Sequence, residues 1–408
     1  MGVGIVGLSS ADRTLPCGAE SATGRVWFVD RSWLGFVKLA IALSGGGVRA
    51  AVFHLGVLGR LAHARRLEEV AAISSVSGGS LAVGLVMAHC QNQWPNGRRF
   101  LFEVVPRLHD LMVGRDLQRA FIAASLCKPW RMTSGRAWVL ADVLRRVWHI
   151  EGELGELPPQ PIWTINATCY QTGKNWRFER DVMGDYQTRY VRHPRIALAS
   201  VLAASAAVPG LIGPLTIDSR RHRWSADHDH DVPIEPKHPT LQLWDGGVYD
   251  NLGVEALFKP GSGLIEGIDT LIVSDASRPL GVAQPKPFWR LGSLASSLRL
   301  IDMATDQVRS VRARTLIDHF RKHPGSGTYL RMGKRRQPDH RLLSGTRSVT
   351  MTAEEVRLAS NLGTTLRKLT SREFSRLFRH GYEVAEATLA KRLPTVLAAA
   401  KIQPKRVA

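Results

Sequence analysis

The sequence predicts an α/β fold built on a largely parallel sheet, and three observations carry that prediction. Short apolar runs stop abruptly at glycine-rich turns, at Ala42-Leu43-Ser44-Gly45-Gly46-Gly47 and again at Ser75-Val76-Ser77-Gly78-Gly79. After the first turn the periodicity changes, and Val52, Leu55, Val57, Leu58 and Leu61 form one helical face. The order strand, helix, strand, helix then calls for parallel pairing through right-handed crossovers. With 408 residues, 44% of them hydrophobic, the chain can bury one large core or two smaller ones.

The elements follow in order. Residues 1–36 read as an irregular leader with a short strand at 26–29. Residues 37–43 are apolar, short and stopped by glycines, which reads as a buried strand. A helix at 48–61, a strand at 70–76 and a helix at 78–89 come next. Residues 95–158 carry helices rich in Leu, Arg and Trp, such as 101–111 and 138–147, and are expected to cap the sheet as an insertion. Pro158-Pro159-Gln160-Pro161 closes that region. A strand resumes at 162–167, and Thr172-Gly173-Lys174-Asn175 reads as a hairpin turn into 176–178. Residues 196–208 form a helix of small side chains, stopped by Pro209-Gly210 and able to approach a neighbour closely.

Residues 218–240 are polar and rich in His and Asp, and read as a loop. An apolar run at 241–244 precedes Asp245-Gly246-Gly247, and another strand at 271–274 ends at Asp275. A Pro/Gly-marked loop at 280–293, a long helix at 294–320 and a basic excursion at 321–348 follow. Thr352 with Glu355 fits a capping box that opens a helix at Ala353. Helix is expected to continue to about 393, before a basic tail at 394–408.

Composition excludes several classes. No apolar run approaches the ~20 residues of a membrane span, and the first thirty residues lack the pattern of a secretory signal. Cys17, Cys90, Cys127 and Cys169 are scattered without metal-knuckle or disulfide-framework spacing, so a reducing, cytoplasmic setting is expected. Peripheral contact with a membrane and export without a cleaved signal stay open. Lys and Arg exceed Asp and Glu by 55 to 35, a net charge of +20. Such a bias fits an anionic partner, whether phospholipid, nucleic acid or acidic protein, and a merely solvated basic surface is the alternative. The absence of zinc-finger spacing, RNP-like aromatics and long lysine runs argues against nucleic acid and leaves anionic phospholipid in view.

The chemistry concentrates at three places. Ser77 follows a strand, precedes a helix and is flanked by Gly78 and Gly79, the setting in which a serine hydroxyl is exposed at a sharp bend. A plain serine N-cap is the alternative. Gly45, Gly46 and Gly47 can turn backbone N–H groups toward an oxyanion with no side chain in the way. A tight packing turn is the alternative there, and the spacing fits neither a Walker loop nor a dinucleotide fingerprint. Arg49 can support that loop or attract an anion. Asp245 stands at a strand end before two glycines, where burial could raise its pKa and make it a base. An Asx turn is the alternative for it, and Asp275 is a rival carboxylate. His228 and His230, alternating with Asp227, Asp229 and Asp231, offer metal-ligand types, but such alternating residues in a polar loop are more often simply solvated, and no third anchored histidine accompanies them. No metal or cofactor is called for.

These sites, in this order, resemble the patatin-like phospholipase family. The resemblance rests on Ala42-Leu43-Ser44-Gly45-Gly46-Gly47-Val48-Arg49-Ala50, Val76-Ser77-Gly78-Gly79-Ser80 and Asp245-Gly246-Gly247-Val248-Tyr249-Asp250-Asn251. Ile165-Asn166-Ala167-Thr168 and the block from Ala203 to Gly210 support it. It covers roughly 37–275, with weaker similarity in 353–386. Ser75 stands where the first glycine of the elbow is usual, and Ser44 where an aspartate is common.

The family is similar to cytosolic phospholipase A2. The resemblance implies a three-layer α/β/α sandwich over 37–393 and a Ser–Asp dyad without histidine. Ser77 would attack an ester carbonyl of a phospholipid, Asp245 would relay its proton, and amides of Gly45, Gly46 and Gly47 would hold the oxyanion. A soluble thioesterase or acyltransferase with the same dyad is a second reading. A non-catalytic basic protein binding membrane or nucleic acid is a third. Head group, acyl chain and oligomeric state are not legible in the sequence.

Overall fold

The computed structural model describes residues 38–127, 135–278, 294–335 and 350–397. The expected leader with its strand at 26–29, Cys17, the 280–293 loop, the excursion from 336 onward and the tail beyond 397 lie outside these residues. All described residues fall in one unit that begins at Val37.

The strands are β1 (Leu39–Leu43), β2 (Val70–Val76), β3 (Ile162–Cys169), β4 (Asn175–Phe178), β5 (Val182–Asp185), β6 (Arg189–Arg192), β7 (Leu215–Asp218), β8 (Trp224–Ser225), β9 (Pro233–Ile234) and β10 (Thr240–Asp245). A small separate hairpin, β11 (Phe258–Lys259) and β12 (Gly263–Leu264), precedes β13 (Thr270–Asp275) and β14 (Gly327–Arg331). The main sheet runs β14-β13-β1-β2-β3-β4-β5-β6-β8-β9, with β10 and β7 branching from β3. It is mixed. The parallel part is β14-β13-β1-β2-β3, and from β3 to β9 every pairing is antiparallel. The 218–240 region departs from a plain loop, because β8 and β9 extend the sheet edge there.

The helices are α1 (Gly47–His63), α2 (Gly78–Ala88), α3 (Val105–Gly114), α4 (Leu117–Cys127), α5 (Ala137–Trp148), α6 (Leu198–Ser205), α7 (Leu294–Lys322), α8 (Ala353–Ser360) and α9 (Ser371–Arg392). Side chains of a strand alternate between faces, and β1 shows why the sheet is covered on both. Leu39, Ile41 and Leu43 join the larger core with residues of α1, α2 and α9. Ala40 and Ala42 join a smaller core with Leu271, Val273, Leu252, Phe258 and, from α7, Ala313 and Leu316. Helix, sheet, helix is therefore the layering, an α/β/α sandwich. The capping box at Thr352 and Glu355 opens α8, and a second at Thr370 and Glu373 opens α9. Helix is broken between them, at 361–370.

One detail of topology positions the site. The edge of β3 opposite β4 is shared by two strands running toward each other. Parallel β2 pairs up to Val76 opposite Asn166. Antiparallel β10 pairs down to Asp245 opposite Ala167. The two strands end on adjacent rungs, so Ser77 and Asp245, 168 positions apart in the chain, leave the sheet at one point.

Candidate active site

Ser77 adopts φ 49° and ψ −115° between β2 and α2. A positive φ is costly for a residue with a Cβ and persists only where surroundings enforce it. Its hydroxyl makes no capping bond to α2, so the N-cap alternative does not describe it. The hydroxyl instead faces the Asp245 carboxylate, close enough to lower its pKa. Gly78 is demanded by close approach, since a Cβ there would lie 2.3 Å from the Gly47 carbonyl oxygen. The first turn of α2 is thus pressed against the glycine loop.

Asp245 is buried, and burial raises its pKa to about 6 against the lowering effect of the Gly247 N–H bond and the nearby Ser77 hydroxyl. The Gly247 bond, at 2.7 Å, is the Asx turn of the alternative reading. The turn and the serine contact coexist because Oδ1 takes the amide and the carboxylate still meets Ser77. Asp275, the rival, is committed elsewhere. It receives Arg309 Nη1 at 2.8 Å and the Tyr329 hydroxyl.

The glycine loop has positive φ at both Gly46 (139°) and Gly47 (64°), which is what the glycine run is for. The amides of Gly46 and Gly47 have no acceptor among the described residues. Gly45 departs from the sequence expectation, because its N–H donates to the Asn251 carbonyl at 3.1 Å and is not free for an oxyanion. Arg49 supports the loop. It is buried, donates to the carbonyls of Leu362 (2.7 Å) and Ala276 (3.1 Å), and its pKa is lowered to about 10, first by burial and then by Arg278.

Beneath the loop lies His54, fully buried, with a pKa lowered to about 4 by burial. A neutral ring facing the Ser44 carbonyl at 2.9 Å must donate from Nε2, so Nδ1 accepts from the Ser274 hydroxyl at 2.8 Å. This imidazole is occupied with the loop. Among the described residues, no histidine lines the cavity that contains Ser77 and Asp245.

The residues that sequence reasoning missed hold the elbow from below. Ser205 Oγ donates to the Asn166 carbonyl at 2.7 Å and accepts the Ser77 N–H at 3.0 Å. It can therefore only accept from Ser80 at 2.9 Å, which in turn accepts from Ser75 at 2.9 Å. Ser75 accepts from Trp163 Nε1 at 2.8 Å. The chain of protons runs one way, from Trp163 through three serines to a carbonyl. The Asn166 side chain ties the Ser74 hydroxyl and the Ser75 carbonyl to β3. Ser75 thus has a bonded hydroxyl in place of the usual glycine. Asn166 and Ser205 lie in the supporting blocks noted above, but nothing local to either marks this role.

The cavity holds about 610 Å³ and is lined by Gly46, Arg49, Ser77, Asp245, Leu211 and Ile301 among others. Among the described residues no group of three His, Cys, Asp or Glu could hold a metal ion, and His228 and His230 sit in an exposed turn with Asp227 and Asp229. Cys90, Cys127 and Cys169 are free thiols.

Among solved structures, human GIVD cytosolic phospholipase A2 aligns over 90% of this chain and 61% of its own, at 13% identity and a TM-score of 0.52. The same human protein in complex with methyl gamma-linolenyl fluorophosphonate aligns over 89% and 60%, at 15% identity and a TM-score of 0.49. VipD from Legionella pneumophila aligns over 86% and 67%, at 11% identity and a TM-score of 0.33. At 13% identity the first of these is a likeness of fold, and the chain spans about three-fifths of that human protein's length. No curated protein sequence matches the chain. A family model described as patatin-like phospholipase matches residues 41–258, more than half of the 408, and that span takes in both glycine turns, β3 and Asp245. The chain therefore belongs to the patatin-like phospholipase family.

Proposed function

We propose that this protein is a lipid acyl hydrolase of phospholipase A type, acting through Ser77 and Asp245 at an anionic membrane surface. The observation that carries the reading is a strained serine whose hydroxyl meets a buried carboxylate of raised pKa, about 6, in a cavity that no histidine among the described residues lines. Above that pKa the carboxylate is ionised and accepts the Ser77 proton as Oγ bonds to the ester carbonyl carbon. Negative charge moves to the carbonyl oxygen, where the free amides of Gly46 and Gly47 can donate to it. As the tetrahedral adduct collapses, the ester C–O bond breaks and Asp245 returns the proton to the departing alcohol. Water then enters, loses a proton to Asp245, and releases the fatty acid while Ser77 regains its hydrogen.

The apolar side chains at the mouth, Leu211, Val248 and Ile301, favour a lipid ester over a small soluble acyl donor. A hydrolysis screen of phospholipid, short-chain ester and acyl thioester tests this. Wild type should favour phospholipid, and Ser77→Ala and Asp245→Asn should each lose ~10³-fold or more in kcat while remaining folded. Unchanged rates without the Ser77 hydroxyl would end the dyad, and a preference for the thioester would move the substrate to the second reading.

A further inference from the structure

The outer flank of α7 is apolar where a surface helix is ordinarily charged. Leu300, Ile301, Ala304, Val308 and Val311 recur at the helical spacing that aligns side chains along one stripe. Leu300 is 65% exposed and Val311 53% exposed, and the rest are exposed as well. The stripe is continuous with the cavity that holds Ser77, because Ile301 both belongs to it and lines the mouth. Across the mouth stand two more exposed apolar side chains, Leu211 (57% exposed) and Val248. Six of the fifteen large hydrophobic residues exposed among the described residues belong to this one region.

Rotation of α7 cannot bury the stripe. The opposite flank is latched by Arg309 to buried Asp275 at 2.8 Å and by Arg312 to Glu255 at 3.1 Å, with Asp250 alongside. Breaking such pairs to turn the helix would strand charge in the core. The charged neighbours of the stripe and mouth include the exposed Arg278 and Arg314, with Arg299 and the acidic Asp302 and Asp306 also at the mouth. An apolar strip beside exposed arginines, in a chain of net charge +20, matches acyl chains beneath anionic head groups.

We propose that the stripe Leu300–Val311 of α7, with the rim residues Leu211 and Val248, is the face that docks onto an anionic lipid surface. The face then presents the mouth directly to lipid, so that an acyl chain can enter without crossing water. This rests on the lipid-ester reading for what enters the cavity, but the docking itself is measured without any chemistry.

The test is sedimentation with phosphatidylcholine–phosphatidylglycerol vesicles, alongside hydrolysis of a soluble short-chain ester. In the triple variant Leu300→Gln, Val308→Gln and Val311→Gln, none of the altered residues lines the cavity, and glutamine keeps helix propensity. Vesicle binding should fall by about tenfold or more, with soluble-ester hydrolysis unchanged. Leu126→Gln, an equally polar change at a side chain exposed elsewhere on the protein, should bind as wild type does. Wild-type binding in the triple variant, or an equal loss from Leu126→Gln, would overturn the assignment. So would conversion of a wild-type dimer to monomer by the triple variant, which would identify a second copy as the occupant. Loss of vesicle binding in the triple variant, with no ester cleaved by wild type, would instead remove the lipid-hydrolase reading and leave the docking face standing.

Discussion

Burial raises the Asp245 pKa from 3.8 to about 6, and a proton held more tightly by the folded chain links activity to stability. Between those two values the unfolded chain has shed a proton that the folded chain keeps, so stability falls as pH rises through that window. Above it, the ionised carboxylate costs the fold on the order of 1–3 kcal/mol. Asp245→Asn should therefore melt higher than wild type at about pH 8 and lose that advantage at about pH 4. Activity has the opposite slope, since the base must be ionised: kcat/KM should rise with pH along a limb of apparent pKa near 6. A flat profile from about pH 5 to 8 would assign the proton to another group.

Ser205→Ala strands the Ser77 N–H and the Asn166 carbonyl, each an orphaned buried group worth ~1–3 kcal/mol. Urea unfolding should show that loss, and kcat should drop with KM nearly unchanged, because the elbow rather than the cavity wall is loosened. The turns that carry Ser77 and Asp245 were legible in the sequence because each has its own local signature. Ser205, Asn166 and Asn251 were not, because a serine or asparagine becomes a partner only when the sheet brings its acceptor to it. Gly45 was misread for the same reason: its amide is taken by Asn251, 206 positions away.

At the level of elements, the wall of the cavity depends on α7, and α7 depends on arginines that reach inward. Removing Arg309 leaves Asp275 buried and unpaired by its main cation, a change of ~3–5 kcal/mol by the general cost of breaking such pairs. Arg309→Leu should lower Tm markedly. Adding Asp275→Leu should recover much of it, because two apolar groups replace a lone charge; a double variant no more stable than the single would deny the pair that weight.

The strands β1, β2, β3, β10 and β13 and the helices α1, α2 and α5 were readable because glycine and proline punctuate their ends and apolar period marks their type. The capping box at Thr352 was equally local. β14 was hidden inside the basic excursion, because five residues, Gly327-Thr328-Tyr329-Leu330-Arg331, become a strand only by pairing with β13. The two-residue strands β8 and β9 were invisible for the same reason, each having almost no sequence of its own.

For the whole molecule, the net charge of +20 makes the proposed association with lipid a function of salt. Charge attraction is screened over ~10 Å at 0.1 M and ~3 Å at 1 M, so flotation with anionic vesicles should weaken steeply across that range. Equal binding to neutral and anionic vesicles at low salt would rule charge out as the steering force. No helix among the described residues is long and apolar enough to cross a membrane.

The sequence alone determined the α/β class and marked the glycine loop and the two turns that carry Ser77 and Asp245, because each depends on residues within one turn of chain. Tertiary structure decided that the groups meet, through β2 and β10 ending on adjacent rungs of β3. It also decided which amides stay free, which serines brace the elbow, and which flank of α7 faces outward. Those outcomes are set by pairing between distant segments, and strand register is a property of the assembled sheet that no single stretch of chain contains.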